Sequence, residues 1–229
     1  MIPVMAVLID IEGATTPIAF VRDTLFPFAR ARLPRLLDER GGEPAVAKEL
    51  SEVARLAPGM SHLDALLAWM DSDAKVTPLK ALQGIIWADG YASGELQGAL
   101  YPDVAPNLRR WTAGGVRLFV YSSGSVAAQR QIFGHSSAGD LAPLFAGFFD
   151  TRVGPKREAA SYDRIAIGIG VPTAELLFLS DTEAELDAAA AAGLRTCQLL
   201  RPQDGTVAAQ AHPTAPDFTA VAKQFSLPH

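Results

Sequence analysis

The chain opens with a short apolar run that ends in two acidic residues. Ala6-Val-Leu-Ile leads into Asp10, and Glu12 and Gly13 follow closely. Such a run is typical of a strand buried on both faces, as in a parallel sheet. Because side chains alternate along a strand, Asp10 and Glu12 are expected on the same side of its end. These carboxylates either turn into solvent or lie where open α/β sheets bind ligands.

The next stretch, from about residue 20 to residue 96, has apolar positions at helical spacing and no predicted strand. The pattern predicts four helices, which cover residues 23–40, cover residues 43–57, begin after Ser61 and begin at Thr77. The first of them is expected to have a kink or a break at Pro34. The glycine-containing segment 87–95 is predicted to be a connector.

From Pro102 onward, strand patterns and helix patterns alternate. The strands are predicted over residues 116–121, 145–150, 176–179 and 196–200. This alternation predicts right-handed crossovers and a parallel sheet, to which the opening strand also belongs. The segment 202–216 is predicted to be a loop, and the end of the chain is expected to be loosely held.

The helical stretch is therefore an insertion after the first strand. The predicted fold class is α/β, with a core formed by residues 1–19 and 100–229 and a helical domain formed by residues 20–99.

Composition restricts the partners and the location of the protein. The net charge of −5 gives no basic surface for nucleic acid. The one cysteine, Cys197, lies in an apolar run, so we expect a core residue and a reducing compartment. The sequence shows no secretion signal. It also contains no apolar stretch of about 20 residues, the length needed to cross a membrane. We expect a cytoplasmic monomer without a membrane partner.

Polar residues recur at later strand ends and turns. Ser122-Ser123-Gly124 follows a strand and either binds a phosphate oxygen or caps the next helix. Asp181 follows another strand and either caps a helix or joins Asp10. Lys156 lies in a Gly-Pro turn, where it is either a solvated charge or part of the same site.

Taken together, these residues favour metal-assisted phosphoryl chemistry. Carboxylates at one sheet edge repel one another and retain their charge best around a cation. Mg²⁺ suits this set, because it takes one or two carboxylates together with waters and a substrate phosphate. The four histidines are scattered and offer no zinc site, and no Walker-type loop or dinucleotide fingerprint is present. An aspartate that attacks phosphorus remains as the best hypothesis.

The chain resembles the haloacid-dehalogenase superfamily through four motifs in order: Asp10-x-Glu12-Gly13, Ser122-Ser123-Gly124, Lys156 and Ser180-Asp181. The helical insertion matches the cap position of the helical-cap branch. More narrowly, the chain resembles the enolase-phosphatase family of methionine salvage over the segments 8–21, 83–87, 90–95, 121–126 and 133–136. Glu12 is the most specific mark, because most phosphatases of the superfamily carry Asp there.

The resemblance implies a Rossmann-like core, a helical cap that closes over the substrate, and a Mg²⁺-dependent reaction. The substrate would be 2,3-diketo-5-methylthiopentyl 1-phosphate, which is enolised and then dephosphorylated to the acireductone 1,2-dihydroxy-3-keto-5-methylthiopentene. The partner of the protein would thus be a small-molecule phosphate substrate.

The resemblance also assigns roles to residues. Asp10 would be the nucleophile and a metal ligand, and Glu12 would be the acid/base and also a metal residue, through its main-chain carbonyl. Ser122 and Ser123 would hold the phosphate. The remaining roles belong to Lys156, which would neutralise the phosphate and the nucleophile, and to Asp181, which would complete the metal site.

Two positions leave the assignment open. Glu185 would either support the metal site from a distance or join it directly. Ala14 departs from the family, where Thr usually follows Glu-Gly, and this puts the fine positioning of Asp10 in question.

Two alternatives remain at this stage. A single-activity Mg²⁺-dependent phosphatase acting on another small phosphate ester would share every catalytic residue. A non-catalytic Mg²⁺-binding module would show no turnover.

Overall fold

The computed structural model describes residues 3–229, which fall into two compact units. The first comprises the chain up to Ile18 together with Gln97–His229, and the second is Ala19–Leu96. The domain limits expected from the sequence lie a few residues from these boundaries. The role of the second unit as a cap stays a prediction.

The first unit is built on a parallel sheet. Within the described residues, six strands pair in the order β3-β2-β1-β4-β5-β6, and every pairing is parallel. They are β1 (Ala6–Ile9), β2 (Arg117–Tyr121), β3 (Phe145–Phe149), β4 (Leu176–Ser180), β5 (Arg195–Leu199) and β6 (Thr214–Ala215). β1 is buried along its whole length because it lies between two neighbours and is covered on both faces. The predicted α/β class with a parallel sheet is confirmed.

The second unit is helical. The short helix α1 (Ile18–Phe20) and a π-helical turn (Val21–Leu25) lead into α2, and three more helices follow. Their bounds are α2 (Phe26–Arg40), α3 (Pro44–Leu56), α4 (His62–Asp71) and α5 (Thr77–Ala92). The predicted cap of α4 is confirmed, because Ser61 Oγ accepts from Asp64 N at 3.1 Å.

Two details of the helical prediction need correction. The break considered at Pro34 does not occur, because α2 continues through this residue, with Leu33 and Leu36 buried on either side and Pro34 itself facing solvent. The segment 87–95 is mostly helix rather than connector, since α5 extends to Ala92.

The helices of the first unit are α6 (Val104–Ala113), α7 (Val126–Gly134), α8 (Ala159–Ile169), α9 (Glu183–Ala191) and α10 (Phe218–Phe225). The expected loose C-terminus is wrong. α10 buries Phe218, Val221 and Ala222, and the Phe218 ring stacks on Trp111 at 5.1 Å. Of the described helices, none combines the length and apolar character that crossing a bilayer requires.

Candidate active site

The carboxyl ends of β1, β2 and β4 lie side by side, so the polar residues that follow these strands meet. They line a pocket of about 180 Å³ within the first unit. Its walls are formed by Asp10, Glu12, Ile18, Ser122, Ser123, Lys156, Asp181, Thr182 and Glu185. The six residues to which the sequence assigned a role are among them, and so is Glu185, whose role was left open.

The loop after β1 is a tight turn that depends on a glycine. The carbonyl oxygen of Ile11 accepts from the main-chain N–H groups of Thr15 and Thr16, both at 2.9 Å. Gly13 adopts φ +70°, and a Cβ added there would lie 2.3 Å from Asp181 Oδ2. Glycine is therefore required both for the backbone conformation and for the close approach of the Asp181 carboxylate.

Asp10 is held in a fixed orientation. It is 5% exposed, and its Oδ1 atom accepts from Ile11 N at 2.7 Å. The same oxygen lies 2.7 Å from Lys156 Nζ. Asp10 thus has one oxygen bound by two donors, an arrangement that fixes the orientation of the carboxylate at the wall of the pocket.

Lys156 has a second carboxylate partner. Its Nζ lies 2.5 Å from Glu185 Oε2, and both side chains are largely buried. Burial alone would lower the pKa of Lys156, but the charges of Asp10 and Glu185 outweigh it and raise that pKa. The Ser180 hydroxyl lies 3.0 Å from Glu185 Oε2 and 3.4 Å from Asp10 Oδ2, so it can donate its single proton to either carboxylate.

Two buried tyrosines fix the turn that carries Lys156. Tyr121 OH donates to Gly154 O at 2.8 Å, and Tyr162 OH donates to Lys156 O at 2.7 Å. The two rings meet edge to face at 5.5 Å. Neither tyrosine was expected at the site from the sequence, although each is an aromatic residue in a buried element whose hydroxyl needs a hydrogen-bond partner.

The serines and Asp181 are not used as helix caps. Ser125, rather than Ser122 or Ser123, caps α7 by accepting from Ala128 N at 3.2 Å. The N-cap position of α9 is Thr182, and no side chain caps that helix. Asp181 Oδ1 instead accepts from Thr182 Oγ1 at 3.1 Å. The capping alternatives considered for these residues are therefore not realised.

The pocket holds more negative than positive charge. Burial and the nearby Asp10 charge raise the pKa of Asp181 to about 6. The same two causes raise the pKa of Glu185 to about 7, against the opposing effect of Lys156. A single ammonium group faces these carboxylates, so an added cation would stabilise their ionised forms.

The donor set of the pocket agrees with Mg²⁺. Across residues 3–229, no group of three or more His, Cys, Asp or Glu side chains is arranged so that it could hold a metal ion by itself. Mg²⁺ does not need one, because it binds through one or two carboxylates and retains waters for a substrate phosphate. Asp10 and Asp181 supply such a pair.

Comparison with known proteins identifies the class of enzyme to which the chain belongs. Residues 4–193 match the sequence model of the family described as haloacid dehalogenase-like hydrolase. The chain belongs to this family of hydrolases.

Full-length relatives narrow the class. The chain is 57% identical over 223 residues to Enolase-phosphatase E1 of Gluconacetobacter diazotrophicus, covering 97% of this chain and 95% of the relative. It is 56% identical to Enolase-phosphatase E1 of Granulibacter bethesdensis, with 100% of both chains covered. Within the hydrolases, the chain therefore belongs with the enolase-phosphatase E1 proteins, and the resemblance found in the sequence is confirmed.

Solved structures agree with the fold. The UTR4 protein (Unknown transcript 4 protein) of Saccharomyces cerevisiae is 35% identical, with a TM-score of 0.81 over 93% of this chain and 98% of that one. CbbY of Rhodobacter sphaeroides, in complex with phosphate, has a TM-score of 0.64 at 16% identity, over 95% of this chain and 96% of that one. At that identity the likeness concerns the fold alone.

Proposed function

We propose that this protein is a bifunctional enolase-phosphatase. It enolises 2,3-diketo-5-methylthiopentyl 1-phosphate and then hydrolyses the phosphate, giving the acireductone of methionine salvage. The observation that carries the proposal is the presence of Asp10, oriented by Lys156, and Glu12 in one pocket. The chain that holds this pocket is similar over its whole length to Enolase-phosphatase E1 proteins.

Asp10 is proposed as the nucleophile of the phosphatase step. Its carboxylate would attack phosphorus and release the enol, and water would then hydrolyse the aspartyl phosphate. Ser122 and Ser123 line the pocket and would bind the phosphate oxygens. Lys156 would neutralise charge on both the phosphate and the carboxylate, which otherwise repel each other.

Glu12 is proposed as the acid/base of the enolisation step. Its side chain lines the pocket and is exposed, whereas Asp10 is buried, so Glu12 can reach a carbon-bound proton on the substrate. It would take that proton and return a proton to the developing enol. The longer side chain of Glu relative to Asp suits this transfer.

We propose that Asp10, Asp181 and the main chain of Glu12 hold Mg²⁺. When bound, the ion would reduce the repulsion between Asp10 and the phosphate and would polarise the diketone. Support comes from the carboxylate pair and from the excess negative charge in the pocket.

We also propose a cytoplasmic location. The buried, unpaired Cys197 supports it, since a reduced thiol is typical of a reducing compartment.

The test is a parallel assay of the two activities on the diketone phosphate with Mg²⁺. Ultraviolet absorption would follow the enol and the acireductone, while released phosphate is measured in the same sample. We expect the wild-type protein to give both signals. Asp10→Asn should release no phosphate, because an amide cannot act as the nucleophile.

Glu12→Gln separates the two activities. This variant should lose most turnover of the diketone phosphate but retain hydrolysis of p-nitrophenyl phosphate, which needs no enolisation. Release of phosphate from the diketone without any enol signal in the wild type would favour the single-activity phosphatase. No turnover of either ester would favour the non-catalytic binding module.

A further inference from the structure

A buried ion pair lies outside the pocket, beneath the loop that carries Glu12. Arg201 follows β5, and Asp103 immediately precedes α6. The guanidinium group binds the carboxylate in a bidentate manner, with N–O distances of 2.9 and 3.0 Å. Arg201 is only 3% exposed. Such a pair loses hydration when it is buried, so stability alone does not account for it.

Arg201 also binds the loop after β1 directly. Its Nη2 atom donates to the carbonyl oxygen of Ala14 at 2.8 Å. The guanidinium lies 4.1 Å from the centre of the Tyr101 ring, and Tyr101 N donates to the carbonyl oxygen of Thr15 at 3.0 Å. Two consecutive carbonyl groups of the loop are thus held by Arg201 and the residue stacked on it.

The loop needs main-chain contacts of this kind. Gly13 and Ala14 carry no polar side-chain atom that could bind a neighbour. Gly13 also lies against the Asp181 carboxylate, so a shift of the turn would move one wall of the pocket. Asp103 keeps the guanidinium in place and is itself fixed, because its Oδ2 atom accepts from Phe218 N at 2.8 Å.

We propose that Arg201, oriented by Asp103, is a positioning residue for the reaction. It holds the loop of residues 11–16 so that Glu12 and the contact between Gly13 and Asp181 keep the arrangement that catalysis and Mg²⁺ binding require. This inference rests on the function proposed above.

The test compares Arg201→Met, Arg201→Lys and Asp103→Asn with the wild-type protein. Arg117→Met is the matched control, because Arg117 also donates to a main-chain carbonyl, Ile169 O at 2.9 Å, but at the amino end of β2. Val53→Ala in α3 of the helical unit, a buried position away from Arg201 and Asp103, controls for lost stability alone. Each variant is measured for kcat, KM, Mg²⁺ affinity by calorimetry without substrate, and unfolding by urea.

Arg201→Met should lower kcat by about 10- to 100-fold with little change in KM, since a misplaced catalytic group affects the transition state most. It should weaken Mg²⁺ binding by about 10-fold. Arg201→Lys should recover part of both losses, because the charge remains while the bidentate geometry does not. The two controls should keep kcat and Mg²⁺ affinity close to the wild-type values.

The proposal is overturned if Arg201→Met, while folded, keeps kcat and Mg²⁺ affinity within about twofold of the Val53→Ala control. If Arg201→Met does not fold, Arg201→Lys and Asp103→Asn are judged by the same criterion. Failure of the proposed function would look different. The wild type would then not turn over the diketone phosphate, while p-nitrophenyl phosphate hydrolysis and Mg²⁺ affinity would still report on positioning.

Discussion

Lys156 is a buried ammonium group shared by two carboxylates, and this pairing defines the charge balance of the pocket. Lys156 and Asp10 could be placed at one site from the sequence because both match motifs of the haloacid-dehalogenase superfamily, whereas the turn around Lys156 by itself also fits a solvated charge. The contact with Glu185 was left open, because the sequence shows only that Glu185 lies one helical turn after Asp181. Its geometry, 2.5 Å from Lys156 Nζ, depends on how α9 packs.

The raised pKa of Glu185 predicts a pH-dependent loss of stability. This pKa is about 7 in the folded protein, against an ordinary value of 4.5, so the folded state binds more protons between these two pH values. The free energy of unfolding should therefore fall as the pH rises through this window. The expected loss is on the order of 1–3 kcal/mol.

Urea unfolding of the wild type and of Glu185→Gln, with a chelator present, measures this effect. Between about pH 5 and pH 8, the wild type should lose stability relative to the variant, because the amide side chain of the variant does not titrate. Equal pH dependence of the two proteins would contradict the raised pKa.

Helix α5 shows how packing between elements overrides a local pattern. The glycines near its C-terminal end favoured a connector, yet the helix runs to Ala92. A Cβ on Gly90 would lie 2.5 Å from the Phe28 ring, so glycine is there to admit an aromatic side chain from α2. The side chains of α5 that join the core of the helical unit, among them Leu82 and Ile86, provide the energy that offsets the poor helix propensity of glycine.

Two glycines on α5 should respond to alanine in opposite ways. Gly84 has no atom within 4 Å of an added Cβ, so Gly84→Ala should stabilise the protein by about 0.5–1 kcal/mol through helix propensity. Gly90→Ala should destabilise it by about 1–3 kcal/mol, because the methyl group clashes with Phe28. Urea unfolding of both variants tests this, and stabilisation by Gly90→Ala would refute the packing explanation.

At the scale of the whole molecule, we expect a monomer in solution. The large apolar side chains that are exposed in the described part of the chain come from four separate segments: Met5, Leu56 with Met60, Ile167 and Val207. A stable dimer generally needs a contiguous apolar patch, and the net charge of −5 adds repulsion between copies.

Sedimentation equilibrium should therefore give a mass near 24.3 kDa. The measured mass should not depend on protein concentration in the micromolar range. A mass twice as large at low concentration would contradict the monomer.

The sequence by itself determined the fold class, because apolar strand patterns alternate with helix patterns along the chain. It favoured one site for the polar motifs at the strand ends and turns, and the resemblance to a known family supplied the role of each residue. Because parallel strands bring their carboxyl ends to one edge, Asp10, Ser122 and Asp181 had to converge once the strand order placed β1 between β2 and β4.

The tertiary structure alone decided which groups support those residues. Local patterns do not connect Arg201 with Ala14, or Lys156 with Glu185, yet each pair is in contact. In the same way, the close approach of Phe28 to Gly90 in α5 joins two helices that are separate in the sequence. The energies of these contacts come from burial and from close packing between parts of the chain that are far apart in the sequence. In the loop that begins at Asp10, the sequence therefore indicates the chemistry, whereas the packing of Arg201 and Tyr101 fixes the geometry.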